Sequence, residues 1–373
     1  MVDLSQTLAI LDDLVAIASV PGQANREWLS YVRSRLEAAG CRVAIVPSPS
    51  GDCEGLVAST GPGIPGGLVL SGHADVVSAE GQNWTSDPFR LRLDGSRAFG
   101  RGTADMKGFV ACAITMMEHA ASRGLERPLH LALSGDEETT CQSAVSLAGF
   151  VAQNLPVPRG VLIGEPTCLQ PVNRHRASFT WEVEVKGRSA HASMPELGLS
   201  ATALAAHLIA WIDNRSARIF SPDATTHSIG TIMGGTANNI IAEHCRFEWD
   251  IRLSPHEDIE ELTDDFRSEA ERLLAPQRDR VPEAAVHLSE NAVFPGFHTD
   301  ANNVFAQECI AASIAASLLP MAAATEAGIY HEAGLPVIVM GPGNMEQAHT
   351  PDEYIELDQL AACLHQLSRL ALA

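Results

Sequence analysis

Two hydrophobic periods divide this chain, and one sheet cannot satisfy both. From about residue 27 to 175, short apolar runs at Val43 to Val46, Gly67 to Leu70, Leu129 to Ser134 and Gly160 to Ile163 alternate with helix-period segments, the longest at Lys107 to Ala121. Such alternation predicts crossover connections and an α/β domain with a mostly parallel sheet flanked by helices. Leu335 to Met340 has the same texture late in the chain. Between them, Phe179, Trp181, Val183 and Val185, and then Cys245, Phe247, Trp249, Ile251 and Leu253, alternate strictly with other residues. Period two buries one face only, so this stretch predicts an antiparallel sheet. Strands at Thr226 to Met233 and Glu283 to Leu288, with helices at Leu199 to Asn214 and His256 to Leu274, complete the order βαββαβ of a ferredoxin-like α+β domain. The reading is one α/β domain over 1–176 and 291–373, with a second domain inserted at 177–290.

A chain of 373 residues has room for both, because single cores stop growing at about 250 to 300 residues. Its 25 Lys and Arg against 46 Asp and Glu leave a formal charge of −21. That surface repels phosphate backbones and anionic lipid heads, which argues against nucleic acid and membranes as partners. The eight cysteines are scattered with no CxxC pair and read as reduced thiols. No Lys or Arg precedes Arg26, so the start of the chain lacks a signal peptide's basic region, and Leu4, Leu8, Leu11 and Val15 have the spacing of a surface helix. No run approaches the about 18 apolar residues of a membrane span, and a cytoplasmic location is the expectation.

Polar chemistry gathers where the apolar runs end. Ser71-Gly-His-Ala-Asp75, Gly135-Asp-Glu-Glu138 and Gly164-Glu-Pro166 each follow a strand-like run, and His349 comes shortly after Leu335 to Met340. In open α/β sheets, ligands bind outside the carboxyl ends of the strands. Carboxylates collected there would repel one another unless divalent cations compensate them. Singly, each piece has a plainer reading. His73 with Asp75 could be a loop hydrogen-bond pair, Glu137-Glu138 the acids of a helix start, Asp105 an N-cap and His191 an ordinary loop histidine. Gly61-Pro-Gly-Ile-Pro-Gly66 matches a phosphate-loop pattern but precedes a strand and holds two prolines, so it is set aside. With no GxSxG or HExxH and no partnered cysteine, metal-activated water is the chemistry left.

Taken in order, seven stretches resemble the M20 metallopeptidase family, in particular its acetylornithine deacetylase and succinyl-diaminopimelate desuccinylase branch, the former more closely. They are Ser71-Gly-His-Ala-Asp-Val-Val77 with Trp84-Thr-Ser-Asp-Pro-Phe89, Gly100-Arg-Gly-Thr-Ala-Asp-Met-Lys-Gly108, Asp136-Glu-Glu138, Gly164-Glu-Pro-Thr167, Gly187-Arg-Ser-Ala-His191, Gly234-Gly-Thr-Ala-Asn-Asn239 and Gly341-Pro-Gly-Asn-Met-Glu-Gln-Ala-His-Thr-Pro-Asp-Glu353.

The resemblance implies two zinc ions per subunit, with cobalt as a substitute. His73, Asp105 and Glu165 would hold one, and Asp105, Glu138 and His349 the other. Asp75 would accept the second ring N–H of His73. Glu137 would be the general base toward a water shared by the metals. The inserted domain is implied to form a homodimer, through which His191 of the partner subunit would stabilise the oxyanion.

Asn239 and Arg252 match residues that bind the substrate's α-carboxylate, although Arg252, Glu248 and Asp250 could equally form a surface ion-pair ladder. Thr325 begins the loop Thr325-Glu-Ala-Gly328, a candidate for side-chain selectivity. The implied activity is removal of an acyl group, acetyl first, from an N-α-acyl amino acid such as N-acetyl-L-ornithine, a step of arginine biosynthesis. Desuccinylation, with Arg174 and Arg176 as extra cations, and deacylation of another N-acyl amino acid are the alternatives. A non-catalytic acyl-amino-acid-binding relative would normally have lost Glu137 or a ligand, and none is lost. One departure is His175-Arg176-Ala177, where the deacetylases have His-Lys-Gly.

Overall fold

A computed structural model describes residues 3–21, 26–49, 51, 53–217, 219 and 221–372. The chain divides into two compact units. One comprises Met1–Arg174, Phe297–Met321 and Thr325–Ala373, and the other comprises His175–Gly296 with Ala322–Ala324.

The first unit begins with α1 (Leu4–Ala16), α2 (Arg26–Ala38), β1 (Arg42–Pro47), β2 (Glu54–Thr60) and β3 (Leu68–His73). It continues through the short strands β4 (Arg92–Asp94) and β5 (Arg97–Phe99), then α3 (Lys107–Ala121), β6 (Leu129–Ser134), α4 (Gln142–Asn154), β7 (Gly160–Pro166) and β8 (Val172–His175). The second unit follows as β9 (Ala177–Lys186), α5 (Ala201–Asp213), β10 (Thr226–Gly234), β11 (His244–Leu253), α6 (Ile259–Leu274) and β12 (Ala285–Phe294). The chain then returns with β13 (Phe297–His298), α7 (Val304–Ala312), β14 (Leu319–Met321), α8 (Ala327–Glu332), β15 (Val337–Gly341), β16 (Tyr354–Glu356) and α9 (Leu357–Ala371).

The main sheet runs β1-β2-β6-β3-β7-β15-β8-β13. Its centre, β6-β3-β7-β15, is parallel. The expectation of a mostly parallel sheet therefore holds at the centre, while β1, β2 and β8 pair antiparallel with their neighbours. β3, β6 and β7 are buried along their whole length, as strands covered on both faces must be. Helix α3 is apolar nearly all round and buried from Lys107 to Met117, which suits a helix enclosed by a sheet on one side and by other helices on the other. It packs against β3 and β6 as well as α1, α2 and α9.

The expected surface helix at the chain start is α1. Its buried stripe is Thr7, Ile10, Leu11, Leu14 and Val15, with Leu4 and Leu8 only partly covered. Its C-terminal carbonyls are satisfied from α3, because buried Lys107 donates Nζ to Leu14 O at 2.9 Å and to Ile17 O at 2.8 Å. Burial pulls the Lys107 pKa down to about 7, against the opposing charges of Glu353 and Asp75.

The second unit is a four-stranded antiparallel sheet ordered β10-β11-β9-β12, the ferredoxin-like arrangement read from the sequence. Phe179, Trp181, Val183 and Val185 face the same core as Phe247, Trp249 and Ile251, packed with Leu204 and Leu208 of α5 and Phe266 of α6. Trp249 and Phe266 pack as tilted rings with centroids 5.1 Å apart. Burying each such side chain contributes about 1.5 to 3 kcal/mol. The last strand runs to Phe294 because a bulge between Glu290 and Ala292 lets it follow β9 back to Ser178, past the 290 boundary expected from the sequence. All eight cysteines are free. Among the described residues, no helix is long and apolar enough to cross a membrane.

Candidate metal centre

Four adjacent parallel strands end on one edge of the first unit. His73 is the last residue of β3, Glu137 and Glu138 lie just past β6, Glu165 is near the end of β7, and His349 follows β15. Asp105 stands in the loop ahead of α3, where the Asp105–Met106 peptide is cis. Close approach of these strands depends on glycine. A Cβ on Gly164 would overlap the Phe109 ring, and one on Gly341 would overlap the Gly164 carbonyl.

The two oxygens of Asp105 face different histidines. Oδ1 lies 3.1 Å from His73 Nε2, and Oδ2 lies 3.3 Å from His349 Nε2. Each histidine also meets a second acid: His73 Nε2 is 3.6 Å from Glu165 Oε1, and His349 Nε2 is 3.1 Å from Glu138 Oε1. Ligand atoms at about 2.0 to 2.1 Å around a tetrahedral zinc stand about 3.3 Å apart, so these separations suit a shared cation. Ligand atoms of His73, Asp105 and Glu138 lie within 4.8 Å of one another, as do those of His73, Glu137 and Glu165. The structure thus brings together every side chain expected as a ligand or base. His349 takes a left-handed backbone at φ 61°, a conformation costing about 1 to 3 kcal/mol that the surrounding contacts must offset.

Electrostatics within the cluster are those of acids in excess. Burial opposes the His73 imidazolium, but hydrogen bonds to Asp105 and Asp75 and the charges of Glu137 and Glu165 hold its pKa well above normal. Hydrogen bonds to Asp105 and Glu138 raise His349 to about 10. Burial would raise Asp105, yet its bonds to His349 and His73 hold it below the usual carboxylate range. Glu137 and Glu165 are pushed well up, by burial first and then by neighbouring carboxylates. Positive charge is what this cluster lacks, and divalent cations would supply it.

The three acids 136–138 separate into different tasks. Asp136 turns back to cap α4, accepting from Gln142 N at 2.9 Å and Ser143 N at 3.1 Å. Glu137 and Glu138 turn toward the histidines, their own amides donating to the Asp75 carboxylate at 3.1 and 3.0 Å. Here the structure modifies one expectation. His73 Nδ1 lies 2.9 Å from the Asp75 main-chain carbonyl and 3.5 Å from its carboxylate, which those two amides already engage. A carbonyl can only accept, so Nδ1 carries a proton and Nε2 is the nitrogen turned to Asp105, and the carbonyl, not the carboxylate, is the nearer acceptor.

Glu326, in the loop expected to bear on side-chain selectivity, instead sits fully buried beneath this edge. It accepts from Ser71 Oγ at 2.6 Å and Ser134 Oγ at 2.9 Å. It therefore ties β3, two residues before His73, to the end of β6. Its neighbour Thr325 does not stand open to a substrate. Thr325 is buried, and its hydroxyl accepts from Ala327 N at 3.1 Å at the start of α8.

The other expected site residues belong to the second unit. His191 is exposed, with Nδ1 held by Ser193 Oγ at 2.8 Å. Its loop bridges to Ile240 beside exposed Asn239, whose carbonyl accepts from Ala192 N at 2.9 Å. Arg252 is half-buried on β11 and paired with Asp250 through two bonds of 3.0 and 3.1 Å, the ion-pair arrangement weighed as the alternative. A cavity of about 530 Å³ in this unit is lined by Gly234, Gly235 and Thr236, with Lys186, His244 and Arg246 among its other walls.

Residues 69–373 match the model of peptidase family M20/M25/M40. The chain belongs to that family. Acetylornithine deacetylase of Shigella sonnei is 31% identical over 364 residues, covering 95% of this chain and 92% of that protein. The enzyme of the same name from Proteus mirabilis is 33% identical over 370 residues, with the same coverage. Among solved structures, a Staphylococcus aureus tripeptidase superposes with a TM-score of 0.82 at 20% identity, covering 100% of this chain and 98% of the other. An M20 metallo-carboxypeptidase of Sulfolobus solfataricus gives 0.76 at 15% identity, covering 98% and 99%. These structural likenesses speak to the fold, an M20 catalytic architecture with an inserted antiparallel domain. The protein is accordingly an M20 family hydrolase, and the six ligand and base candidates lie at one strand edge of its first unit.

Proposed function

We propose that this hydrolase cleaves the amide of an N-α-acyl amino acid, N-acetyl-L-ornithine first among them, releasing acetate and the free α-amine. The observation that carries the reading is Asp105, whose two oxygens address two histidines, each with a further acid, while Glu137 lines the same edge. Its substrate class is supported by the two acetylornithine deacetylases, each similar over 95% of the chain.

His73, Asp105 and Glu165 would hold one divalent cation, and Asp105, Glu138 and His349 a second. Zinc is preferred for two imidazoles among carboxylates, with cobalt able to substitute. When bound, the cations would acidify water and polarise the amide carbonyl. Glu137, a half-buried carboxylate, takes the proton of the attacking water and returns it to the leaving nitrogen. Asp75 keeps this base in place through the backbone of 137 and 138. Arg252 and Asn239 are the candidates for the substrate's α-carboxylate. Desuccinylation has less support, because buried Arg176 directs Nη1 to Ala224 O at 2.7 Å and to Thr226 Oγ1 at 3.2 Å.

The direct test is acetate release from N-acetyl-L-ornithine by chelator-stripped protein, with and without zinc. Zinc-dependent release is expected. No release, alongside hydrolysis of another N-acyl amino acid, would move the substrate while keeping the chemistry. Silence across such a panel would end the proposal.

His191 is assigned the oxyanion, supplied across a homodimer by the partner subunit. Replacing it with Ala should lower kcat by about 10² to 10³, the cost of one oxyanion donor, and leave metal content unchanged. Mixing His191→Ala with Glu137→Gln protein should restore about a quarter of parental activity, since half the exchanged dimers regain one intact site. No recovery after proven subunit exchange would refute the role in trans.

A further inference from the structure

We propose that Glu353, clamped by Arg101, is a positioning residue that sets both oxygens of Asp105 for metal, so that its polarity governs the zinc affinity of the centre. This rests on the metal-centre reading above and adds a residue to which no role has been given. Glu353 and Arg101 are each 1% exposed. Their ion pair is 2.8 Å long. The rest of the carboxylate is spent on the loop that carries Asp105. Oε2 also accepts from Gly102 N at 2.9 Å, and Oε1 accepts from Ala104 N at 2.9 Å and Asp105 N at 3.1 Å. A carboxylate has about four acceptor positions, and all are filled here.

Loop 100–107 has no ladder of its own, so its buried amides need acceptors from elsewhere. Gly100 N goes to the Glu353 main-chain carbonyl, Arg101 N to Pro88 O, Thr103 N to Gly100 O and Lys107 N to Gly102 O. The amides of 102, 104 and 105 all converge on the Glu353 side chain. Their geometry is fixed from behind, since β5 and β16 pair through Phe99 and Tyr354, the residues immediately before Gly100 and after Glu353. The same segment carries His349. Arg101 Nη1 reaches Thr350 O at 3.4 Å, its Nη2 bonds Gln82, and Gln82 Nε2 donates to His349 O at 2.9 Å. Glu353 and Arg101 therefore lock the loop of Asp105 to the loop of His349, the two side chains whose spacing a shared cation needs fixed.

A hydroxyl donor can turn to accept instead, whereas a backbone N–H can only donate. Glu353→Gln, equal in size, would turn an NH₂ donor onto at least one of those fixed donors. The test titrates zinc into chelator-stripped full-length protein against a chromophoric chelator, which reads affinity and stoichiometry without any substrate. Thermal unfolding of the same samples establishes that each variant is folded. Affinity of folded Glu353→Gln should fall about 10- to 100-fold, the range for losing a partner that orients a metal ligand. Glu353→Asp keeps the charge but is one methylene short, and should lose about three- to tenfold. It carries the test if the Gln variant does not fold. A lowered melting point with zinc affinity still within twofold of the parent would make Glu353 a stability residue only and overturn the proposal. A parent protein that takes up no zinc would remove the centre itself, and this inference with it, whereas an unchanged variant beside a two-zinc parent refutes only the positioning role.

Discussion

Replacing Asp105 with Ala should strip the centre of both metals at once. Asp105 points one oxygen at each histidine, Oδ1 toward His73 and Oδ2 toward His349, so its loss subtracts a ligand from each position. Zinc held by four ligands binds with about 10 to 16 kcal/mol, so one ligand is worth about 3 kcal/mol, or two to three orders of magnitude in affinity per site. The carboxylate is also the nearest acid to the buried His73 imidazole, and Ala leaves Glu165, at 3.6 Å, as the closest ion-pair partner of its Nε2. Zinc per subunit, measured after dialysis against a weak chelator, should drop from two toward zero, and amide hydrolysis should fall by about four orders of magnitude or more. His349→Ala, by contrast, touches one position only and should leave the His73 site able to hold metal. Retention of two zinc ions by Asp105→Ala would contradict the bridging assignment.

Glu137→Gln should separate catalysis from metal binding. The substitution preserves volume and leaves Glu137 N on the Asp75 carboxylate, but the side chain can no longer accept a proton. Turnover should fall by about two to four orders of magnitude, the range for a general base, with zinc stoichiometry unchanged. The pH dependence has a defined sign. Glu137 works as a base only when ionised, and burial with the charges of Glu138, Asp105 and Asp75 raises its pKa against the pull of His73. Activity of the parent should therefore rise with pH through an acidic limb displaced upward from the ordinary glutamate range, and that limb should vanish in the Gln variant. A Gln variant as fast as the parent would assign the base elsewhere.

These two results would also distinguish neighbouring acids that a sequence cannot tell apart. Asp136, Glu137 and Glu138 are consecutive, yet one caps α4, one faces the centre with His73 and Glu165, and one meets His349. Consecutive residues leaving a strand point in different directions, and only the turn taken after β6 decides which goes where. Asp75 illustrates the same limit. Its place two residues after His73 was visible in the sequence, but its carboxylate is committed to two amides from beyond β6, 62 and 63 residues away, while its carbonyl serves the imidazole.

What the sequence determined by itself was whatever short-range pattern encodes: period-two strands β9 and β11, the boundaries of α3, the order of the inserted domain, and a set of acids and histidines behind apolar runs. Those features follow from the burial of alternate or helically spaced side chains, which is local. The family motifs added the grouping of the six candidate residues and a chemistry for them. Tertiary structure alone decided which partners satisfy the buried polar groups. Glu326 under β3 and β6, Lys107 on the carbonyls of α1, and Glu353 on the loop of Asp105 join residues 90 to 255 positions apart. No periodicity records such pairs, because a buried charge takes whichever fixed donor or acceptor the fold brings to it.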